Sequence, residues 1–287
     1  MSFDELLDKL WMFDFEVFSK DWLLVAINYR TKEEKIFHNA SMENVFNFTN
    51  SDIILCGYNA KEYDAYILKG ILSGFDIQEL KKLNDYLIGG GQGWKYNFDY
   101  VTLPIIWDLF PEITPRKSLK ELEGNLRLDI TETTIPFDLP TKWTNEQYEE
   151  VLYYCRHDVQ ALFPIFEELL TKYKSKFIIA KFGKMDEAEA LSMTDANLTA
   201  KLLNAEKRIH NDPYKYEYPS EIEKDKIPKQ ALDYFDDLIK HNDLNYKIDA
   251  PIVTYGNMEL QLGEGGCHGF LANGVYNYTN GITFKCE

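Results

Sequence analysis

The chain has 287 residues, of which 45% are hydrophobic, and it carries a formal net charge of −16. This length allows one large domain or two smaller ones with a sizeable core, and the acidic balance argues against a protein that coats nucleic acid through excess Lys and Arg. No run approaches the roughly 18 apolar residues of a membrane span, and the acidic N-terminus lacks the basic start of a signal peptide. The four cysteines include no CxxC pair, so we expect a reduced, cytoplasmic protein without a zinc ribbon, a redox motif or a membrane partner.

Strand-like and helix-like segments alternate along the first part of the chain. Short turns separate three strand-like runs, which predict an antiparallel meander over 11–18, 22–29 and 33–38. Capping residues and apolar runs then predict a helix from Ser41, a strand at 52–57, helices at 61–73 and 76–87, a strand at 105–110 and a short helix from Ser118. The capping-box pattern Thr144-x-x-Gln147 predicts a long helix to about Tyr173. Interleaved strands and helices predict an α/β layered domain over residues 1–176.

The character of the sequence changes after about residue 176. Helices are predicted over 185–209 and 231–241, with an irregular connector between them that is rich in Pro, Tyr and charge. Residues 251–284 are predicted to be rich in β-strands, with Gly and Asn turns. We therefore divide the chain into a domain at 1–176 and a helical and β-rich extension at 177–287.

Four acidic residues lie in three short segments beside hydrophobic runs. Asp14 and Glu16 are two apart in a predicted strand, so both point to one face. Asp64 lies at the start of a predicted helix, and Asp158 lies on the long helix with Tyr154 on the same face. These faces can converge on one pocket, where four carboxylates would repel each other unless divalent cations joined them. Two such ions about 3.5–4 Å apart are a common device for cutting phosphodiesters.

The order and spacing of these segments resemble the DEDD 3′–5′ exonucleases, which share an RNase H-like fold. The histidine branch of that family has His five residues before the last Asp, where this chain has Tyr153. The tyrosine branch has Tyr four residues before it, and Tyr154 stands there. Within this branch the chain looks like the proofreading exonuclease domain of phage-type family B DNA polymerases. The resemblance covers about residues 5–175, and a weaker match continues towards the C-terminus.

The resemblance implies a 3′–5′ exonuclease that uses two Mg²⁺ or Mn²⁺ ions to release nucleoside 5′-monophosphates from single-stranded DNA 3′ ends. Asp14 would bridge both ions. Glu16 and Asp158 would complete the shell of the first ion, and Asp64 would hold the second through water. Tyr154 would orient the attacking water.

Three further residues are candidates for binding DNA. Asn59 occupies the position where the resembled domains contact the DNA strand. Phe18 and Tyr63 could stack on terminal bases, because aromatic faces bind single strands without sequence choice, although both could equally be core aromatics. Two basic stretches could track a phosphate backbone or form solvated helix faces; they contain Arg116, Lys117 and Lys120, and Lys172, Lys174, Lys176, Lys181 and Lys184.

The sequence motifs of a polymerase active site are absent from the chain, with no Asp-x-x-Ser-x-Tyr-Pro-Ser and no Asp-Thr-Asp. We therefore expect a chain that does not polymerise DNA. It looks like the front part of a phage-type polymerase, acting in the host cytoplasm together with a polymerase part or a polymerase partner chain. The glycine-rich segment 263–269 is similar to the one that joins the two parts in those enzymes, and a tight hairpin is the alternative.

Other interpretations stay open at this stage. The chain could be a non-catalytic module that docks to a polymerase partner, or a related exonuclease acting on RNA, since that choice depends on contacts to the sugar 2′ position. Asp64 could be an acid favoured by a helix N-terminus. Asp14 and Glu16 could be solvated acids on an edge strand, and Tyr154 could be core packing. His157 is expected on the helix surface without a catalytic role.

Overall fold

A mixed sheet of five described strands lies at the centre of the N-terminal part of the chain. Its strands are β1 (Leu10–Val17), β2 (Trp22–Asn28), β3 (Glu34–His38), β4 (Ile54–Gly57) and β5 (Ile105–Asp108). The order is β3-β2-β1-β4-β5, in which the first three strands pair antiparallel while β4 and β5 run parallel to β1. The predicted antiparallel meander and the predicted α/β class, with a mixed sheet flanked by helices, are confirmed.

The chain separates into two units, Met1–Glu206 and Lys207–Glu287. The computed structural model describes residues 1–98, 100–205, 217–218, 220, 222–241, 246, 249 and 251–255, together with the strands that lie between 258 and 286. Within these residues, none of the helices combines the length and the apolar character that crossing a membrane requires.

Helices cover both faces of the sheet. They are α1 (Phe3–Asp8), α2 (Met42–Thr49), α3 (Asp64–Leu72), α4 (Ile77–Ile88), α5 (Leu119–Asn125), α6 (Asn145–Phe182), α7 (Glu187–Leu191) and α8 (Asp195–Leu202). On one face, Met12 of β1 belongs to the core cluster that contains Val159 of α6. On the other face, Phe13 belongs to the cluster that contains Leu68 of α3. Because both faces are covered, β1 and β2 are buried along almost their whole length.

Helix α6 is longer than the sequence predicts. It begins as predicted with a capping box between Thr144 and Gln147, but it ends at Phe182 instead of near Tyr173. The basic run around the predicted end carries a buried residue, Lys176, whose Nζ donates to Glu112 Oε1 at 2.5 Å. This pair neutralises the charge and lets the helix continue along the first unit. The predicted domain boundary at residue 176 is therefore wrong, because that residue lies inside α6 and the units divide after Glu206.

Local capping residues set most of the other helix starts. Ser41 and Ser118 cap α2 and α5, as the sequence predicts. The predicted helix at 61–73 begins at Asp64, because Asn59 adopts a left-handed backbone with φ of 57° and the chain turns before the helix starts. Helices α7 and α8 confirm the predicted helical character of the described part of 185–209, and residues 206–209 lie outside the described residues.

The second unit contains one described α-helix, α9 (Lys229–His241), and antiparallel strands. They are β6 (Ile252–Tyr255), β7 (Met258–Gly263), β8 (Gly266–Phe270), β9 (Gly274–Asn277) and β10 (Thr283–Cys286). In the β7–β8 pair, Gly263 stands opposite Gly266, so the strands on either side of the glycine-rich positions pair antiparallel, while positions 264 and 265 lie outside the described residues. The predicted helical and β-rich character is confirmed, while part of the connector predicted at 211–229, namely 211–216, 219 and 221, lies outside the described residues.

Removal of the ammonium at position 176 tests the pairing that extends α6. Lys176→Ala would leave the buried Glu112 carboxylate with only Lys172, whose Nζ lies 2.8 Å from Glu112 Oε2. We expect the free energy of unfolding to fall by about 3 kcal/mol, since a buried charge that loses its partner is strongly destabilising. Lys174→Ala, at an exposed position of the same helix, should change it by less than about 0.5 kcal/mol.

The readout for both variants is tryptophan fluorescence during urea unfolding. The five tryptophans all lie between residues 11 and 143, so their fluorescence reports the first unit. Equal unfolding midpoints for the two variants would contradict the role of the Lys176–Glu112 pair.

Candidate metal centre

Strand β1 presents two carboxylates to the helix α6. Asp14 and Glu16 alternate with Phe13 and Phe15, which belong to the core cluster on the opposite face. On the α6 side, Cys155 Sγ lies 3.6 Å from the Asp14 carbonyl oxygen and 3.8 Å from its Oδ2. Glu16 is buried and Asp14 is half-buried. Both carboxylates are therefore enclosed between the sheet and the helix, and β1 is an inner strand of the sheet, not an edge.

Helix α6 adds the third carboxylate and a phenol. Asp14, Glu16 and Asp158 each offer a carboxylate oxygen, and these atoms lie within 4.8 Å of one another. Tyr154 lies one turn before Asp158, and burial together with the nearby carboxylates raises the pKa of its phenol. The neighbouring Tyr153 is 60% exposed. The structure thus turns Tyr154 towards the acidic cluster and leaves Tyr153 towards solvent.

Asp64 approaches the same cluster from the start of α3. It lies outside the closest group of three, but its charge raises the pKa of both Asp14 and Glu16. The pairing of β4 with β1 ends at Met12, so the backbone of Phe15 beyond it can hydrogen-bond with Asp64, which lowers the pKa of that carboxyl. Asp64 Oδ1 is buried and has no hydrogen-bond partner among the described residues.

A further buried acid, Asp108, fixes the loop that carries Asp64. It stands at the end of β5 and accepts hydrogen bonds from the backbone N–H groups of Lys61 and Phe110, both at 3.0 Å. Its charge also raises the pKa of Asp64. Asp108 therefore ties the segment between β4 and α3 to the end of β5.

The electrostatics of the four carboxylates favour a bound cation. Burial is the largest cause that raises the pKa of Asp14, Glu16 and Asp158, and it raises the pKa of Asp64 to about 8. Among the described residues, the cation closest to the cluster is Lys120, whose Nζ lies 2.5 Å from Asp158 Oδ1. One ammonium cannot offset four carboxylates.

The donor set agrees with hard divalent cations. All four acids offer oxygen ligands, which Mg²⁺ and Mn²⁺ prefer. The unpartnered Asp64 Oδ1 is an atom that such a cation would satisfy. The residues present therefore fit divalent ions shared between β1, α3 and α6.

An open cleft borders the start of α3. It has a volume of about 870 Å³ and is lined by Asn59, Glu62, Tyr63 and Trp94, together with the glycine loop after α4. The indole of Trp94 is 69% exposed. The charges of Asp64, Glu16 and Asp14 raise the pKa of Tyr63, so this wall of the cleft lies close to the acidic cluster.

The candidate aromatic residues have different environments. Phe18 is 1% exposed; it stacks on Phe137 with ring centroids 4.6 Å apart, and Trp143 meets it edge-on at 5.0 Å. The predicted base-stacking role does not fit Phe18, whose ring is covered, and the alternative of a core aromatic is correct for it. Tyr63 is half-buried and its hydroxyl donates to Asn84 Oδ1, so only part of its ring reaches the cleft.

A second group of possible ligands, which was not predicted from the sequence, lies beside Asp158. Glu123 is 0% exposed, and Glu123, His157 and Asp158 offer ligand atoms within 4.8 Å of one another. The expected surface position of His157 is wrong, because its side chain is 17% exposed and its Nδ1 lies 3.7 Å from Asp158 Oδ1. Lys120 and Glu123 share a face of α5 at a spacing of three, which was the signal available.

The basic stretches are partly used inside the first unit. Lys172 and Lys176 both pair with Glu112, and Lys181 pairs with Glu187 at 2.9 Å. These three lysines pair with acids of the same chain, so they do not form a continuous surface for binding a phosphate backbone.

No family model, curated protein or solved structure matches the chain.

The raised pKa of Asp64 predicts a pH-dependent stability of the metal-free chain. The carboxyl titrates near its ordinary value of 3.8 when unfolded and at about 8 when folded. The folded state therefore holds more protons between these values, and stability falls as pH rises through this window. In EDTA, we expect Asp64→Asn to reduce the fall of the free energy of unfolding with rising pH by about 1 kcal/mol per pH unit. Asp129→Asn, at an exposed acid, should leave it unchanged.

The measurement is urea unfolding followed by tryptophan fluorescence at several pH values between about 5 and about 8, within the window set by the Asp64 pKa. Parallel stability curves for the wild type and Asp64→Asn would contradict the assignment.

Proposed function

We propose that this chain is a divalent-metal-dependent 3′–5′ exonuclease that releases nucleoside 5′-monophosphates from single-stranded DNA ends. The observation that carries the proposal is the convergence of carboxylate oxygens of Asp14, Glu16 and Asp158 within 4.8 Å of one another, beside the unpartnered Oδ1 of Asp64. The sequence resemblance to tyrosine-type proofreading domains supports the same conclusion. The sheet order β3-β2-β1-β4-β5, with α6 across one face, is compatible with an RNase H-like fold.

Four carboxylates would hold the ions in this proposal. Asp14, Glu16 and Asp158 would hold one ion, and Asp64 would help Asp14 to hold the second. When bound, the two ions supply activation of water and stabilisation of the charge that develops on the phosphate.

Tyr154 would position the attacking water. Burial and the surrounding carboxylates raise the pKa of its phenol, so the hydroxyl stays protonated at neutral pH and keeps a proton to donate. A protonated phenol is an orienting group and not a general base. Its place one turn before Asp158 puts it at the acidic cluster, while Tyr153 faces solvent.

The cleft beside α3 would receive the end of the strand. The exposed Trp94 and the accessible part of Tyr63 offer faces on which bases can stack. Asn59, on the same wall, offers an amide that can bind phosphate or sugar oxygens. This arrangement needs few basic residues, which agrees with a net charge of −16.

The hypothesis of a catalytic chain is favoured over that of a module that only docks to a polymerase. Buried carboxylates without a compensating cation are costly, and the cluster has little structural reason to be retained without ions. A polymerase part or a polymerase partner belongs to the proposal through the sequence resemblance alone. RNA remains the alternative substrate, and the assay below compares it with DNA.

Degradation of a 5′-labelled single-stranded DNA oligonucleotide tests the activity. With Mg²⁺ or Mn²⁺, the wild type should give a ladder that shortens from the 3′ end, and EDTA or Asp14→Ala should abolish it. Tyr154→Phe should lower the rate about 100-fold, because it removes the group that orients the water. Tyr153→Phe, its exposed neighbour, is the matched control and should act like the wild type.

The same assay with an RNA oligonucleotide of equal sequence identifies the preferred sugar. Absence of products from either substrate at high enzyme concentration, with both metals, would contradict the proposal. Loss of activity in Tyr153→Phe equal to that in Tyr154→Phe would contradict the role given to Tyr154.

Asn59 can be tested without disturbing its backbone. Its φ of 57° is left-handed, a conformation that glycine adopts without strain, so Asn59→Gly removes the amide and keeps the turn. We expect KM for the DNA oligonucleotide to rise about tenfold with little change in kcat, since one polar contact to the strand is lost. A fall in kcat at unchanged KM would contradict a role in binding.

A further inference from the structure

Lys120 occupies an unusual place at the acidic cluster. Its Nζ lies 2.5 Å from Asp158 Oδ1 and 3.4 Å from both carboxylate oxygens of Glu123. The ring centroid of Tyr154 lies 5.0 Å from the same Nζ. The ammonium is thus surrounded by two buried acids and an aromatic ring. Its shortest contact is with Asp158, the acid that α6 contributes to the candidate metal centre.

Asp158 cannot serve the ammonium and a divalent ion through the same oxygen at one time. A bound ion would repel Lys120 as well as compete for its acceptor. The ammonium therefore needs a second acceptor within reach, or it would be left without a partner when the ion binds.

Glu123 has the properties of that second acceptor. Its side chain is 0% exposed and its Oε2 has no hydrogen-bond partner among the described residues. The distance of 3.4 Å from each oxygen to Lys120 Nζ exceeds the usual hydrogen-bond range. A shift of about 0.5 Å by the ammonium would bring it into that range.

We propose that Lys120 is a positioning residue that holds Asp158 until a divalent ion binds, and that Glu123 receives the ammonium when the ion takes Asp158. This inference rests on the part of the proposed function that makes Asp158 a metal ligand. Lys120 then keeps the cluster folded without metal, and Glu123 sets how readily the cluster accepts one.

Substitutions of these two residues should change the affinity for metal in opposite directions. Lys120→Met removes the competing cation, so Asp158 is free for the ion and binding tightens. Glu123→Gln removes the charge that would receive the ammonium, so Lys120 stays on Asp158 and binding weakens. A purely structural role for the two residues would weaken binding in both variants.

The experiment is isothermal titration calorimetry of the full chain with Mn²⁺. We expect Lys120→Met to lower Kd at least about tenfold and Glu123→Gln to raise it at least about tenfold. Lys120→Arg keeps the charge and should stay close to the wild type. Lys117→Met and Glu132→Gln are matched controls outside the cluster and should leave Kd unchanged. Circular dichroism establishes folding, and Lys120→Gln replaces Lys120→Met if the latter does not fold.

The outcomes separate this inference from the proposed function. If the wild type binds Mn²⁺ but both variants weaken binding, or neither changes it, the exchange between Asp158 and Glu123 is overturned while the metal centre stands. If the wild type binds no Mn²⁺, the proposed function fails and this inference fails with it.

Discussion

The burial of four carboxylates between β1, α3 and α6 is the constraint on which the rest of the first unit depends. Burial is the largest cause that raises the pKa of each acid, and the charge of Asp64 raises the pKa of Asp14 and Glu16 further. A buried cluster of this kind is tolerated where cations compensate the charge or where the acids take up protons. Lys120 supplies one positive charge from α5, and the remaining excess of acidic groups is the observation on which the proposed divalent-ion site rests.

The positions at which the strands and helices begin and end bring the four acids together. Because β4 pairs with β1 only as far as Met12, the end of β1 stays open on that side, and the start of α3 approaches it with Asp64. Asp108, at the end of β5, fixes the loop before α3 by accepting a hydrogen bond from the backbone N–H of Lys61. Helix α6 crosses the opposite side of β1 and brings Asp158 and Tyr154 to the same point. The acids therefore meet because strands end at particular residues, and not through local sequence alone.

Local rules predicted much of this arrangement, while contacts between distant segments did not follow from them. The two-residue spacing of Asp14 and Glu16 and the cap at Thr144 depend on neighbouring residues, so the strand face and the start of α6 could be read directly. Phe18 could not be placed in the same way, because its cover comes from Phe137 in a distant loop. Glu123 lies at the site because α5 folds onto α6; its spacing of three from Lys120 places both residues on one face of α5 but does not show which helix that face meets. The end of α6 was missed for the same reason, since it depends on a pair between Lys176 and Glu112.

The most direct test of the account is a crystal structure of the full chain soaked with Mn²⁺, with anomalous difference density as the readout. The account predicts two peaks about 3.5–4 Å apart, one among Asp14, Glu16 and Asp158 and one between Asp14 and Asp64. Lys120 Nζ should lie nearer to Glu123 than to Asp158 in that structure. Absence of a peak at these four carboxylates, in a crystal that takes up Mn²⁺ elsewhere, would contradict the metal centre and the exonuclease function built on it.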